Sequence, residues 1–205
     1  MKVVALVQAR MGSTRLPNKV MKKIVDRPLI QLLLDRLSKS KEIDEIIVAS
    51  STNSNNDKLD KFVSSLGYVC SRGSENDVLN RFYQAAKESC ADVIVRITGD
   101  CPLVDPDLVD QVIQKYKSTM VDYVSNTSPP TFPDGLDIEV FSFTALSKAQ
   151  NETTSNFDRE HVTPYLKNPN FFAQASVSYT KNLSSLRWTV DEPSDLSVLT
   201  SVFEY

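Results

Sequence analysis

Short apolar runs alternate with amphipathic segments along the first two thirds of the chain. The runs are rich in β-branched residues and predict four strands, over residues 3–8, 45–50, 68–70 and 92–97. Between them, apolar residues recur at intervals of three and four positions, which predicts helices over residues 28–38, 56–66 and 78–89. Strands that alternate with helices favour an α/β fold, in which right-handed crossovers build a mostly parallel sheet with helices on both faces.

A further helix is predicted from Pro106 to about residue 118, with Asp105 as its N-cap. After this helix, the alternation of strands and helices changes. Residues 126–135 contain three prolines and are predicted to form a loop. The remaining predicted elements are a strand over 136–143, a helix over 142–150, a polar mobile segment over 151–156, a helix over 158–167, strands over 171–179 and 186–189, and a helix from Pro193. The chain contains no internal repeat or low-complexity tract, so we expect one domain over residues 1–205.

Composition and charge narrow the class of protein. The 205 residues are 41% hydrophobic and 24% charged, and the formal net charge is −3. That balance is typical of a globular protein and argues against a general nucleic-acid binder, which would present a basic face. No apolar run reaches the length of a membrane span, and three cysteines at unrelated spacings favour a reducing compartment. We therefore expect a cytoplasmic protein without a membrane partner.

The segment directly after the first predicted strand carries the clearest chemical signal. Arg10, Arg15 and Lys19 surround Gly12 in an otherwise mildly acidic chain. A glycine lets backbone N–H groups approach an anion and the cations add positive charge, so this loop fits a phosphate cradle. The glycine-rich patterns of dinucleotide-binding folds and P-loops are missing, because residues 1–66 contain only one glycine. Spacing alone is equally compatible with exposed, solvated cations.

Two carboxylates follow later apolar segments. Asp100 comes directly after the most apolar strand, and Asp191 lies between a short predicted strand and the last helix. Ligands of open α/β sheets bind beyond the carboxyl ends of the strands, and one or two carboxylates there suit Mg²⁺. The simpler interpretations are a Gly99-Asp100 turn and, for Asp191, a helix N-cap followed by Pro193. The pattern alone favours these simpler roles.

Taken together, these motifs resemble those of the cytidylyltransferases that activate acidic sugars, the superfamily of the 3-deoxy-manno-octulosonate and acylneuraminate enzymes. The resemblance rests on three segments in the expected order: Ala9-Arg10 with Gly12-Ser13-Thr14-Arg15-Leu16-Pro17 and Lys19, then Gly99-Asp100-Cys101-Pro102, then Asp191-Glu192-Pro193-Ser194-Asp195-Leu196. Four further segments are similar to the spore coat polysaccharide biosynthesis branch, namely residues 122–126, 133–141, 158–165 and 186–191.

The resemblance implies a Rossmann-like nucleotidyltransferase (GT-A-like) three-layer fold with a mostly parallel central sheet. It also implies Mg²⁺-dependent transfer of CMP from CTP to a sugar acid or related acceptor, with release of pyrophosphate, for surface polysaccharide biosynthesis. Residues 1–125 would form the nucleotide-binding half, 126–185 the acceptor-binding part, and 186–205 a closing strand and helix.

The same resemblance assigns roles to individual residues. Arg10, Lys19 and Asp100 would be catalytic, while Asp100 and Asp191 would bind Mg²⁺. The nucleotide-binding set is Ala9, Arg10, Gly12, Ser13, Arg15, Lys19, Ser50, Thr52, Arg72, Asp77 and Arg81. The acceptor-binding set is Asn126, Asp137, Glu139, Arg159 and His161, with Glu160 on the same side. Within it, we expect His161 or Arg159 to bind a carboxylate or phosphate.

Departures from the commonest pattern leave alternatives open. Asn18 replaces a glycine of the octulosonate enzymes, and Cys101 replaces an acidic residue, so the acceptor need not be octulosonate. The alternative functions are a sugar-1-phosphate nucleotidylyltransferase that uses UTP, GTP or dTTP, and a non-catalytic nucleotide-binding scaffold. Phe171, Phe172 and Trp188 fit either core packing or the interface of a homodimer.

Overall fold

The computed structural model describes all 205 residues. The strands are β1 (Val3–Gln8), β2 (Lys23–Ile24), β3 (Arg27–Pro28), β4 (Glu45–Ser51), β5 (Val69–Gly73), β6 (Val93–Thr98), β7 (Tyr123–Ser125), β8 (Glu139–Ser142) and β9 (Gln174–Ser176). The helices are α1 (Leu29–Leu37), α2 (Asp57–Ser65), α3 (Val78–Glu88), α4 (Pro106–Ser118), α5 (Phe143–Glu152), α6 (Asn156–His161) and α7 (Pro193–Glu204). None of these helices has the length and apolar character needed to cross a membrane.

Seven strands form one sheet in the order β5-β4-β1-β6-β8-β7-β9, and β2 and β3 form a separate hairpin. β8 runs antiparallel to both of its neighbours, whereas every other pair in the large sheet is parallel. The carboxyl ends of the parallel strands therefore meet at one edge. Gln8 of β1 is in register with Thr98 of β6 and with Ala49 of β4, so β1 and β6 end at the same level and β4 continues to Ser51.

Helices cover both faces of the sheet. Val3, Ala5 and Val7 of β1 pack on one face, in a cluster of 26 buried residues that includes residues of α1 and α4. Val4 and Leu6 pack on the opposite face, in a cluster of 19 buried residues that includes residues of α3 and α5. This arrangement confirms the predicted three-layer α/β class with a mostly parallel sheet. It also explains the apolar runs in the sequence, because a strand buried on both sides needs apolar residues at successive positions.

The last third of the chain differs from its predicted secondary structure. The helix predicted over 158–167 ends at His161 because Val162 has φ 70°, outside the right-handed helical region. The strand predicted over 186–189 is wrong: a single backbone bridge joins Arg187 to Asp134, next to a hydrogen bond from the Trp188 N–H to the Asp134 carbonyl at 2.6 Å.

Other elements are shorter than predicted or have no sequence signal. The strands predicted over 136–143 and 171–179 shrink to β8 and β9, and α5 extends to Glu152 into the segment predicted to be mobile. The sequence does not predict β7 or the β2–β3 hairpin. Each of these strands has two or three residues, which is too short for hydrophobic periodicity to appear.

Candidate active site

A cleft of about 360 Å³ opens at the carboxyl edge of the sheet, at the ends of β1 and β6. Its lining is mostly polar. The predicted site residues that line it are Ala9, Arg10, Gly12, Ser13, Arg15, Lys19, Asp100, His161 and Asp191. The structure thus brings the cation-rich loop, both candidate metal ligands and the single histidine to one place.

The loop after β1 is fixed by the protein's own hydrogen bonds. The buried Asn56 side chain accepts from the Met11 N–H at 2.8 Å, and the Met11 carbonyl accepts from the N–H groups of Ser13 and Asn18. Asn18 has φ 59°, the left-handed conformation that asparagine adopts more readily than most residues with a side chain. This bend directs the following residue, Lys19, back toward the cleft.

Lys19 lies between the two candidate metal ligands. Its Nζ is 2.8 Å from Asp100 Oδ2 and 2.8 Å from Asp191 Oδ1. Arg15 approaches the same oxygen of Asp191 at 3.1 Å, and Arg187 contacts the other at 3.0 Å. Burial alone would lower the pKa of Lys19, but Asp100 and Asp191 outweigh burial and raise that pKa. Lys19 is therefore a charged ammonium held by two carboxylates.

Asp191 is not the N-cap of the last helix, as the sequence pattern favours. The cap is Glu192, which forms a capping box with Asp195: the Asp195 carboxylate accepts from the N–H groups of Asp191 at 2.9 Å and Glu192 at 3.0 Å, just before the helix. The prediction of a capping role is therefore wrong. Because Glu192 and Asp195 form the cap, the Asp191 carboxylate remains available to cations in the cleft.

Asp100 follows Gly99, a position where the side chain of any other residue would clash with the end of β1. A Cβ on Gly99 would lie 2.8 Å from the Gln8 carbonyl oxygen, because the Gly99 N–H donates to that same oxygen. The Asp100 carbonyl accepts from the Val190 N–H at 2.9 Å, which ties the two acidic segments together. The neighbouring Cys101 is buried, and burial raises the pKa of its thiol well above the usual range, so it packs as a neutral core residue.

Arg10 stands at one end of the cleft and is paired with a residue that the sequence does not indicate. Arg10 Nη1 lies 2.7 Å from Glu75 Oε1, and the Asn53 side chain donates to the other oxygen of Glu75 at 3.1 Å. Glu75 follows β5, so this pair joins the ends of two strands that are separated in the sheet by β4.

Four predicted nucleotide-binding residues lie beside the cleft and not in its lining. Ser50 is buried in β4, and Thr52 is exposed just after that strand. The Arg72 guanidinium donates to two backbone carbonyls and pairs with Asp57 at 2.7 Å. Arg81 is buried in α3, and burial lowers its pKa to about 10. Their contact with a nucleotide base stays a prediction.

Asp77 and Arg159 line a second, entirely polar pocket next to the cleft. They pair at 2.7 Å, and Asp77 also caps α3 by accepting from the Asn80 N–H at 3.0 Å. Arg10 and Glu160 line both pockets, so the two pockets adjoin at these side chains.

Two of the predicted acceptor residues stand where a small molecule could reach them. His161 is exposed at the end of α6, with its ring 4.5 Å from that of Phe157. Asp137 is exposed in the loop before β8. Partial desolvation of its carboxyl group, together with the nearby carboxylates of Asp134 and Glu139, raises the pKa of Asp137 to about 6.

Asn126 is buried and does not face the cleft, which corrects its predicted placement in the acceptor site. Its side chain donates to the Leu136 carbonyl at 2.7 Å and accepts from the Ile138 N–H at 2.8 Å. Both functions of the amide are therefore used to hold the ends of the proline-containing loop.

Glu139 is also buried, so its predicted contact with the acceptor is corrected in the same way. It pairs with Arg96 and Lys167 and accepts from the Tyr123 hydroxyl at 2.6 Å. Burial alone would raise the pKa of Glu139, but Arg96 and Lys167 lower it to about 2. Arg96 in turn donates to the Gln8 side chain at 3.0 Å, so Glu139 supports the cleft wall from behind.

Several residues of the cleft are absent from the predicted site. Gln8 and Thr98 line it as the last residues of β1 and β6, and Arg187 holds Asp191 from outside the lining. The position of a residue at the end of a central parallel strand is the signal that could have indicated Gln8 and Thr98. No comparable signal in the sequence marks Glu75 or Arg187. The partner of Glu75, Arg10, is distant in the sequence, and Arg187 contacts Asp134 and Asp191 from an irregular segment.

The fold and the cleft together define a class of protein. A mostly parallel three-layer sheet, a cation-rich loop after its first strand and carboxylates at the ends of later segments are the parts of a nucleotidyltransferase. Residues 4–191 match the family model described as cytidylyltransferase, so this chain belongs to the cytidylyltransferase family and is a CTP-dependent nucleotidyltransferase.

Two relatives are similar to this chain over most of its length. The chain is 42% identical to the uncharacterized protein MJ1063 of Methanocaldococcus jannaschii, over 97% of this chain and 82% of that protein. It is 34% identical to the spore coat polysaccharide biosynthesis protein SpsF of Bacillus subtilis, over 81% of this chain and 70% of that protein.

Solved structures show the same fold. A cytidylyltransferase from Leptospira borgpetersenii superposes with a TM-score of 0.96 at 34% identity, covering 100% of this chain and 87% of that one. The structure of CMP:2-keto-3-deoxy-manno-octonic acid synthetase complexed with CTP superposes with a TM-score of 0.77 at 17% identity, covering 100% and 99% of the two chains.

Proposed function

We propose that this protein transfers CMP from CTP to an acidic sugar or a related acceptor, with Mg²⁺, and releases pyrophosphate for surface polysaccharide biosynthesis. The observation that carries the proposal is the ion cluster in which Lys19 joins Asp100 to Asp191 inside the cleft. An anion-binding loop and a pair of carboxylates at one site suit a triphosphate together with a divalent cation.

The two carboxylates fit Mg²⁺. They already converge on one cation, the Lys19 ammonium, and they offer hard oxygen donors in a number that Mg²⁺ commonly takes from a protein. Asp100 and Asp191 would hold the ion, with phosphate and water oxygens completing its shell. Bound Mg²⁺ would neutralise charge that develops on the phosphate oxygens.

The cations of the loop have a defined task in this reaction. Arg10, Arg15 and Lys19 would hold the triphosphate and stabilise the negative charge of the pyrophosphate as it leaves. In phosphoryl transfer, positioning of the substrate and stabilisation of charge supply most of the acceleration. The acceptor hydroxyl oxygen forms a bond to the α-phosphorus, and the bond from that phosphorus to the bridging oxygen of pyrophosphate breaks. The hydroxyl proton passes to solvent or to a base that we do not assign.

An acidic acceptor is supported by the residues on the far side of the cleft. His161 from α6 faces the loop across the cleft, and the Arg159 guanidinium lies in the adjoining polar pocket. Either side chain could donate hydrogen bonds to a carboxylate. The SpsF relative, named for spore coat polysaccharide biosynthesis, supports a product that enters a surface polysaccharide.

The test is pyrophosphate release from the purified protein with Mg²⁺, one nucleotide at a time and a panel of acidic sugars, with sugar 1-phosphates in parallel. We expect release with CTP and an acidic sugar, a CMP-sugar detectable by mass spectrometry, and loss of both with EDTA. Release with UTP, GTP or dTTP but not CTP, or only with sugar 1-phosphates, would contradict the proposal. CTP binding without turnover on the whole panel would favour a non-catalytic scaffold.

A further inference from the structure

We propose that Lys19 closes the metal position of the nucleotide-free enzyme and thereby makes metal binding depend on nucleotide binding. This inference rests on the proposed role of Asp100 and Asp191 as metal ligands. In the structure, the Lys19 ammonium lies 2.8 Å from one oxygen of each carboxylate, which is the place that a divalent cation would need.

Lys19 and the two carboxylates form a largely buried ion cluster. The side chain of Lys19 is only 14% exposed, and those of Asp100 and Asp191 are 23% and 18% exposed. Little solvent therefore separates the three charges, and screening between them is weak. A divalent cation that approached the same oxygens would be repelled by the ammonium at close range, so the ion and Lys19 cannot occupy this position together.

The other cations around Asp191, Arg15 and Arg187, do not occupy the position between the two carboxylates. Arg187 contacts the opposite oxygen of Asp191 and is anchored by Asp134 at 2.9 Å and by Asp195 at 3.1 Å. Arg15 reaches only Asp191 and is 58% exposed. Lys19 alone bridges the two carboxylates, and its unbranched stem allows the ammonium to turn to another partner.

The natural alternative partner of Lys19 is the triphosphate that enters the same cleft. When phosphate oxygens replace the two carboxylates around Lys19, Asp100 and Asp191 become free for the metal ion. Because coupling between two binding events is reciprocal, the same exchange makes the metal ion strengthen nucleotide binding. Lys19 would thus keep the free enzyme from holding a metal ion without its substrate.

The test measures metal affinity without nucleotide, so that turnover is not the readout. Mn²⁺ replaces Mg²⁺, and free Mn²⁺ is followed by electron paramagnetic resonance during titration of the wild-type protein and of Lys19→Met, which keeps an unbranched side chain, one atom shorter, and removes the charge. We expect Lys19→Met to bind Mn²⁺ at least ~10-fold more tightly, within the range common for coupled sites. Lys19→Gln provides a second neutral variant, and thermal melting checks that both remain folded.

Two control variants test whether the gain in Mn²⁺ affinity comes from Lys19 and its contact with Asp100. Lys23→Met removes one positive charge from an exposed residue of the nearby hairpin and is expected to leave Mn²⁺ affinity unchanged. The double variant Lys19→Met/Asp100→Asn is expected to lose the gain. Equal affinity of wild type, Lys19→Met and Lys19→Gln would overturn the inference, as would the same gain in Lys23→Met.

The outcome separates this inference from the proposed function. If EDTA abolishes pyrophosphate release but neither Lys19 variant gains Mn²⁺ affinity, the coupling role of Lys19 fails and the metal-dependent transfer stands. If EDTA leaves pyrophosphate release intact, the metal role of Asp100 and Asp191 fails, and the coupling fails with it.

Discussion

Replacement of Asp100 by asparagine is expected to slow pyrophosphate release from CTP by roughly 10²–10³-fold, the loss typical when one preorganised electrostatic partner of a transition state is removed. Asparagine keeps the shape of the side chain but not its charge. The backbone of residue 100, which accepts from Val190, is unaffected, and Lys19 retains Asp191 as a partner. Initial rates at saturating CTP, together with the thermal midpoint of the variant, measure the effect.

Asp107→Asn is the matched control for this change. Asp107 is exposed in the first turn of α4 and carries the same charge a short distance along the chain. We expect its rate to match that of wild type. An Asp100→Asn rate within about threefold of wild type, in a folded protein, would show that Asp100 takes no direct part in the reaction.

Replacement of Gly135 by alanine is expected to lower the free energy of unfolding by roughly 3 kcal/mol or more, because a left-handed conformation and a steric overlap add together. Gly135 has φ +104°, and a Cβ there would lie 2.5 Å from the Trp188 carbonyl carbon and 2.6 Å from Thr189 N. Both are backbone atoms of the segment that leads to Asp191, so the overlap also displaces a candidate metal ligand. Urea unfolding followed by circular dichroism gives the free energy.

Gly67→Ala separates the two contributions. Gly67 also has positive φ, +87°, but no atom lies within 4 Å of the position that its Cβ would take. We expect a loss of only about 1 kcal/mol, the contribution of the backbone conformation alone. If the two alanine variants lose the same stability, the contact between Gly135 and the Trp188 segment does not constrain the fold.

Local sequence patterns predict the strands and helices of residues 1–125 well. An apolar run that enters a loop with one glycine and three cations specifies β1 and the loop that follows it, and the structure brings these residues to one cleft. Asp100 follows from the same logic, because a residue just after a central parallel strand must lie at the carboxyl edge of the sheet. These features depend on contacts within and between regular elements, which periodicity reveals.

The residues that sequence patterns misplace depend on long-range contacts in irregular segments. The pattern predicts Asp191 as the helix cap because it cannot show that the next residue, Glu192, forms the capping box with Asp195. Asn126 and Glu139 are assigned to the acceptor site by the family resemblance alone, which does not reveal that both side chains are buried. Their partners, the two backbone groups that Asn126 bonds and the Arg96–Lys167 pair around Glu139, become visible only when the chain is folded.

We expect CTP and its metal ion to bind in the cleft between the loop after β1 and the carboxylates of Asp100 and Asp191. A crystal structure of the protein with CTP and Mn²⁺, with anomalous scattering recorded at the manganese edge, would locate both ligands. We predict one anomalous peak between the Asp100 and Asp191 carboxylates, with the triphosphate against Arg10, Arg15 and Lys19. A manganese ion that contacts neither carboxylate, or a nucleotide bound away from this loop, would contradict this binding mode.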